Sequence, residues 1–376
     1  MTISRRNFSI AAGAAMLASF KIAQAQSDTK IILGQSAAFS GPAAQLGIQF
    51  YNGAKVYFDH ANAQAGAGRQ IEIRKLDDGY EPARCAENTQ KLLADDVFAL
   101  FGYIGTPTSI AALPLATKAK VPFIAPFTGA MALRDPFNRY AFHIRASYND
   151  ETALIVKQLT HLGLKKIAVF YQNDAYGKAG LDGVVLALNG LNLKPVAQAT
   201  VERNSVEVAQ AVKTLVAAGP DAVVQIGAYK ACAAFIREAR KAGYGGTFYN
   251  VSFVGTQALA DELGKQAAGV VVSQVMPSPY NPARAIAREF ADAVKAAGNG
   301  VQANFSSMEG YVAAKVFAEG LRRAGGRPTR ESLITGLESI GSQSFGGFSV
   351  TFAPGDHVAS SFVELSMLTG DGRVRT

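Results

Sequence analysis

From residue 30 onward, short apolar runs alternate with stretches whose apolar positions recur at helical spacing. Residues 30–37 read as a strand that runs into the loop Phe39-Ser40-Gly41-Pro42, and 45–63 as a helix closed by Gly66-Ala67-Gly68. Alternation over 70–76 predicts a strand ending at Asp77-Asp78-Gly79. A helix over 83–94 and a buried strand over 97–103 follow, the latter ending at Gly105-Thr106-Pro107. Residues 108–118 form a helical pattern, and 121–125 a short strand capped by Pro126-Phe127-Thr128-Gly129. The rhythm then restarts: helices over 151–162, 179–188, 206–218 and 231–242, and strands over 166–171, 194–201, 222–226, 247–251 and 270–274. Strands alternating with amphipathic helices imply an α/β layered fold with parallel sheets, here two Rossmann-like units in tandem. The tail departs from this rhythm. Helices over 284–297, 308–324 and 331–340 precede two alternating strands, 347–352 and 362–369, which flank Pro354-Gly355-Asp356 as a terminal hairpin.

The first 25 residues follow a different pattern. Arg5 and Arg6 precede an Ala-rich, mildly apolar stretch and the small-x-small site Ala23-Gln24-Ala25, the layout of an export signal. Ser4-Arg5-Arg6-Asn7-Phe8 resembles the twin-arginine motif, and Lys21 near the cut agrees with that route over the general secretory one. The reading places the mature chain outside the cytoplasm, in the periplasm, exported by the twin-arginine or the general secretory machinery. Cys85 and Cys232 stand in different units, so two buried thiols are expected and no bridge.

Composition removes several functions. The 376 residues suffice for two domains, with 49% hydrophobic and 18% charged residues, as in folded globular chains. The net charge of +8 includes Arg5, Arg6 and Lys21; without those three bases, 34 face 29 acids, a balance of +5. The remaining bases are dispersed singly or in pairs, which is a solvated surface and not a nucleic-acid stripe. Two cysteines and four scattered histidines, His60, His143, His161 and His357, offer no metal-ligand spacing, and no metal or cofactor is expected. Nucleotide-binding glycine loops, nucleophile elbows and zinc-protease motifs are absent from the sequence. The pairs Asp77/Asp78 and Asp95/Asp96 are adjacent and would point to opposite faces, a poor acid/base couple. The chain is read as no enzyme.

What remains is a set of loops at the C-terminal ends of strands, where open α/β sheets hold ligands. Gly105-Thr106 and Thr128-Gly129 each precede a helix. Their N–H groups and hydroxyls would meet an anion, or the two threonines would simply cap those helices. Phe39, Tyr103, Phe127, Tyr176, Tyr229 and Phe253 fall in the same loops, as core or as the lining of an apolar pocket.

Ser40-Gly41-Pro42-Ala43-Ala44-Gln45-Leu46-Gly47, the turn from Asp77-Asp78 to Pro82, Ala125-Pro126-Phe127-Thr128-Gly129-Ala130, Asn173-Asp174-Ala175-Tyr176-Gly177 and Gly243-Tyr244 together resemble a known family. It is that of the leucine/isoleucine/valine-binding proteins of ABC importers. The likeness implies the type I periplasmic-binding-protein fold, two Rossmann-like lobes joined by three hinge crossovers near 147, 276 and 344. Residues 26–147 plus 277–343 would form the first lobe, and 148–276 plus 344–376 the second. By the same likeness, Thr106, Phe127 (through its backbone), Thr128 and Gly129 would hold a ligand carboxylate. Tyr176 would line the second lobe, and a further aromatic position of the family falls at Ala228 or Tyr229. Of two acids that hold an ammonium in the family, Asp150 matches one, whereas Ser252 stands where the other, a glutamate, is expected; Leu46 replaces a pocket tyrosine. The implied partners are a small carboxylate-bearing ligand, such as an amino acid, and an ABC importer permease. An amine-free aromatic or aliphatic carboxylate, a role as the ligand-sensing subunit of a membrane receptor, and an exported enzyme are the rival readings.

Overall fold

A computed structural model describes residues 30–66, 69–298 and 300–376; the export signal expected over 1–25 lies outside the described residues. The first sheet holds β1 (Lys30–Ala37), β2 (Gln70–Asp77), β3 (Ala99–Phe101), β4 (Phe123–Ile124) and β5 (Ala141–Phe142). All its pairings are parallel, in the order β2-β1-β3-β4-β5. Helices α1 (Ala44–Ala65), α2 (Pro82–Ala94) and α3 (Thr106–Lys118) carry the crossovers that parallel pairing requires. They cover the sheet, so its central strands β3 and β4 are apolar and buried throughout.

The second unit repeats this build with α4 (Tyr148–His161), β6 (Ile167–Gln172), α5 (Ala175–Asn189), β7 (Ala197–Val201), α6 (Ala209–Ala217), β8 (Ala222–Ile226), α7 (Tyr229–Lys241), β9 (Thr247–Asn250), α8 (Thr256–Leu263) and β10 (Val271–Gln274). The chain enters it after β5 through residues 143–147. There Ser147 and Asp150 form a capping box that starts α4. Asp174 caps α5 by accepting from the Tyr176 and Gly177 N–H groups.

Beyond β10 come α9 (Ala285–Ala297), α10 (Phe305–Arg323), α11 (Arg330–Glu338), β11 (Gly341–Phe345), β12 (Phe348–Phe352), β13 (Glu364–Leu368) and β14 (Val374–Arg375). Helix α10 returns to the first unit and lies against α1. The approach is so close that a Cβ at Gly53 would sit 1.8 Å from the Ser307 carbonyl oxygen, and one at Gly310 2.0 Å from that of Phe50. The rings of Phe58, Phe101 and Phe317 meet beneath this contact at 5.7–6.1 Å.

The tail strands pair differently from the expectation. Residues 348–352 pair with β11 through the turn Gly346-Gly347, where both glycines take positive φ. The strand expected over 362–369 joins the second sheet, antiparallel to β10, and carries β14 on its outer side. Pro354-Gly355-Asp356 instead turns a strap back onto the first sheet. His143 N–H donates to the His357 carbonyl at 2.8 Å, Ala359 N–H donates to the His143 carbonyl at 2.8 Å, and the His357 ring stacks on Phe142 at 3.7 Å. Residues 341–352 form a sheet of their own, 357–359 bond beside the first sheet, and 364–368 pair in the second. Cys85 on α2 and Cys232 on α7 are buried free thiols.

Candidate functional site

The loops after β3 and β4 meet those after β6, β8 and β9 in a cleft between the two units. On the first unit, Gly105 takes φ +98°, and a Cβ there would lie 2.2 Å from the Tyr80 ring, so only glycine fits. It turns the chain into α3 with Thr106 as the first helical residue and no side-chain cap; Pro107 carries no N–H and Ser109 N–H bonds the Gly105 carbonyl, so the Thr106 and Thr108 N–H groups are the ones left outside the helical ladder. Thr128, from the loop after β4, meets it: the two buried hydroxyls lie 2.6 Å apart. Capping is thus not what Thr106 does, while the Thr128 hydroxyl accepts from Ala130 N–H at 3.2 Å. A Cβ at Gly129 would lie 2.6 Å from the Tyr148 nitrogen, which ties this loop to the start of α4.

Two groups that sequence reasoning did not single out complete the shelf. Arg134 donates to the carbonyls of Thr128 (3.2 Å), Ala130 (3.0 Å) and Arg145 (3.1 Å), fastening the threonine loop to the first crossing. Burial, and then Arg145, push its pKa down to about 10, so it stays charged at neutral pH. Its partners are carbonyls, so a positive charge stands behind the threonines without a bonded carboxylate. Tyr148 is 1% exposed, and its hydroxyl meets no partner at hydrogen-bonding geometry. Burial raises its pKa, while Arg145, the Thr128 side chain and the Gly129 N–H beside the hydroxyl pull the other way.

Rings from both units fill the inner side of the cleft. Phe253 lies 4.4 Å from Tyr176, 5.7 Å from Phe127 and 5.8 Å from Tyr80, centroid to centroid, and Tyr176 lies 5.4 Å from Tyr148. The Arg145 guanidinium covers Phe127 at 4.0 Å and pairs with Glu309 of α10 through two 2.8 Å bonds. The Tyr176 hydroxyl donates to the Gly227 carbonyl at 3.4 Å. Tyr80 reaches the second unit, its hydroxyl accepting from the Gln172 amide at 3.3 Å. Its positive φ is held by Asp78, whose carboxylate accepts from Tyr80 N–H and from the Ser36 hydroxyl.

The remaining expected residues have partners of their own. Asp150 accepts through Oδ2 from the N–H and hydroxyl of Ser147, as the helix cap. Ser252 donates its N–H (2.7 Å) and hydroxyl (3.0 Å) to Glu151, which also accepts from Ser273. Burial raises the Glu151 pKa, and Arg145 offsets part of that. A buried acid thus does stand beside position 252, supplied by α4, but its oxygens are spent. Tyr229 accepts from Gln45 N–H at 3.5 Å, a bond between the units, and Leu46 packs on Gly255 across the same seam. Two of the loop aromatics lie away from the cleft: Tyr103 packs on Phe123 with its hydroxyl against Thr89, and Phe39 packs on Tyr51 beneath Lys75.

Two voids flank the ring cluster. The inner one, bounded by Phe127, Arg145, Ser252 and Glu309, measures about 10 Å³. The outer one, about 500 Å³, begins at Thr106 and opens between α3 and α5.

Residues 30–372 match a family described as periplasmic binding protein. The solved structure of a possible leucine/isoleucine/valine-binding protein from Rhodopirellula baltica SH 1 superposes with a TM-score of 0.89 at 35% identity, over 93% of this chain and 96% of that one. The Leu/Ile/Val-binding protein homolog 7 of Brucella abortus (strain 2308) is 24% identical over 332 residues, 82% of this chain and 81% of its own. A branched chain amino acid ABC transporter structure from Thermus thermophilus with bound valine shares the fold, with a TM-score of 0.82 at 19% identity over 92% and 94% of the two chains.

Proposed function

The chain belongs to the periplasmic binding protein family, of the leucine/isoleucine/valine-binding type, and from that premise we propose that it is the solute-binding component of an ABC importer. It encloses a small carboxylate between its lobes in the periplasm and presents it to a membrane permease. The observation that carries this reading is the buried Thr106–Thr128 pair at the uncapped start of α3, backed by the Arg134 charge. A desolvated carboxylate needs several donors to repay its lost hydration. Thr106, Thr128, the Gly129 N–H and the unpartnered Tyr148 hydroxyl supply them, while the helix terminus and Arg134 supply the field. Phe127 and Tyr176 wall the site from opposite lobes, and Tyr229 closes the seam against Gln45. The lobes are taken as 30–144 with 285–359, and 148–274 with 364–375. Closure brings the two ring sets together, so a ligand that contacts both shifts the population toward the closed form.

An ammonium fits this site poorly. Ser252 presents a hydroxyl already given to Glu151, and Asp150 is engaged through Oδ2 by Ser147. These contacts favour amine-free acids with an apolar body over α-amino acids. The test is calorimetry on protein unfolded and refolded to strip carried-over ligand, titrated with leucine and with its amine-free analogue 4-methylpentanoate. Tighter binding of the analogue, with affinity unchanged within about twofold in Asp150→Asn, is the expected result. Tighter leucine binding that collapses in Asp150→Asn would restore the amino-acid reading.

A further inference from the structure

Of the two sides of the threonine shelf, only one has room. Inward, toward Ser252, five rings at 0–1% exposure pack against one another and leave about 10 Å³, the space of a single water. Outward, the cavity of about 500 Å³ starts at Thr106 itself and falls within the range of about 300–1,000 Å³ usual for small-molecule sites. Its walls come from both lobes: Ile110 and Met131 on the first, Ala179 and Leu186 on the second, with the Asn149 amide between them. Ile110, Met131 and Leu186 are 38%, 40% and 61% exposed. One exposed apolar side chain is ordinary on a protein surface; three around a single groove that abuts an anion shelf are not accounted for by folding.

We infer that this outer groove takes the body of the ligand, which makes the natural ligand an elongated acid whose apolar chain runs outward from the Thr106–Thr128 shelf between α3 and α5. The inference rests on the carboxylate reading above and adds direction and length to it. Branched, compact side chains would leave most of the groove wet, whereas an unbranched chain would lay successive methylenes against Ile110, Met131, Ala179 and Leu186. Each methylene removed from water contributes about 0.8 kcal/mol, or about fourfold in affinity, until the groove is filled.

The experiment is titration of stripped protein with unbranched monocarboxylates from butanoate to octanoate, using ligand-observed NMR for the weak members and calorimetry for the tight ones. The expected result is a rise of about fourfold per methylene. In Ala179→Trp, whose indole fills the groove from the second lobe, that gradient is lost while butanoate binding stays within about twofold and shows that the variant is folded. Met131→Trp repeats the test from the first lobe. A wild-type affinity that does not depend on chain length, or a gradient that survives in both tryptophan variants, overturns the groove assignment and leaves the carboxylate shelf standing. Failure of every one of these acids to bind, with leucine bound, overturns the groove assignment and the amine-free reading together, and leaves the shelf to an amino-acid carboxylate.

Discussion

Arg145 shows how much of the site rests on single side chains. Its guanidinium, 1% exposed, pairs in two bonds with Glu309 and covers the Phe127 ring, linking the first crossing, α10 and the pocket wall. Burial pushes its pKa down, but Glu309 more than offsets that and keeps the cation in place. Removing one partner of such a pair strands the other charge, so Glu309→Ala is expected to cost about 3–5 kcal/mol in chemical unfolding. Asp78 makes a different prediction. Burial lifts its pKa to about 6 against the hydrogen bonds from Ser36 and Tyr80 N–H, whereas in the unfolded chain it titrates near 3.9. The folded state therefore binds the extra proton between those values. Its contribution, about 3 kcal/mol, is fully present below about pH 4 and is lost as pH rises through 6. Melting temperatures of wild type and Asp78→Asn, compared from pH 4 to 7, should converge on the acid side only if this sign is right. The placing of Thr106 and Thr128 in loops at strand ends was legible from Gly105-Thr106 and Thr128-Gly129, because backbone geometry there follows the local sequence. Tyr148, Arg134 and Glu151 were not, because their roles come from tertiary neighbours. The one local hint was the Ser147–Asp150 box, which puts Tyr148 and Glu151 in the first turn of α4 at the cleft.

Among the elements, the α1–α10 contact is the tightest constraint. Gly53 and Gly310 let the two helices touch backbone to backbone, and any Cβ would meet a carbonyl oxygen at 2.0 Å or less. Gly310→Ala is expected to destabilise by about 3 kcal/mol through overpacking, read as a lower midpoint in urea at unchanged slope. The strand–helix rhythm was plain in the sequence, since buried parallel strands read as continuous apolar runs and their helices as periodic ones. Strand pairing in the tail was not. Residues 348–352 and 362–369 each alternate correctly, but alternation does not name a partner. The choice was made by Gly346-Gly347 on one side and by the open edge of β10 on the other. Strand β5 and helix α8 were missed because their patterns, two residues and eight, are too short to stand out.

Across the whole molecule, a polar clasp spans the cleft mouth. Arg203 donates to Glu81 of the first lobe at 3.0 Å and to Asp174 of the second at 3.3 Å, and Asn204 donates to Glu81 at 2.7 Å and to the Gly79 carbonyl at 3.0 Å. These partly exposed contacts bias closure by about 1 kcal/mol. Arg203→Ala should therefore raise the radius of gyration of the unliganded protein in solution scattering and weaken ligand binding about fivefold. The return of α10 to α1 reaches beyond binding, into how the chain is made. The first lobe lacks a partner for α1 until residues near 323 have been synthesised, and the second sheet lacks β13 until those near 368 have been. Neither lobe can complete itself as a folding unit in the order of translation, and both depend on contacts of high sequence separation, which form slowly. A nascent chain halted at residue 276 would leave uncovered the face of α1 that α10 packs on, with Gly53, Tyr57 and Phe58, open to chaperones or to aggregation, and folding waits on the last fifth of the polypeptide.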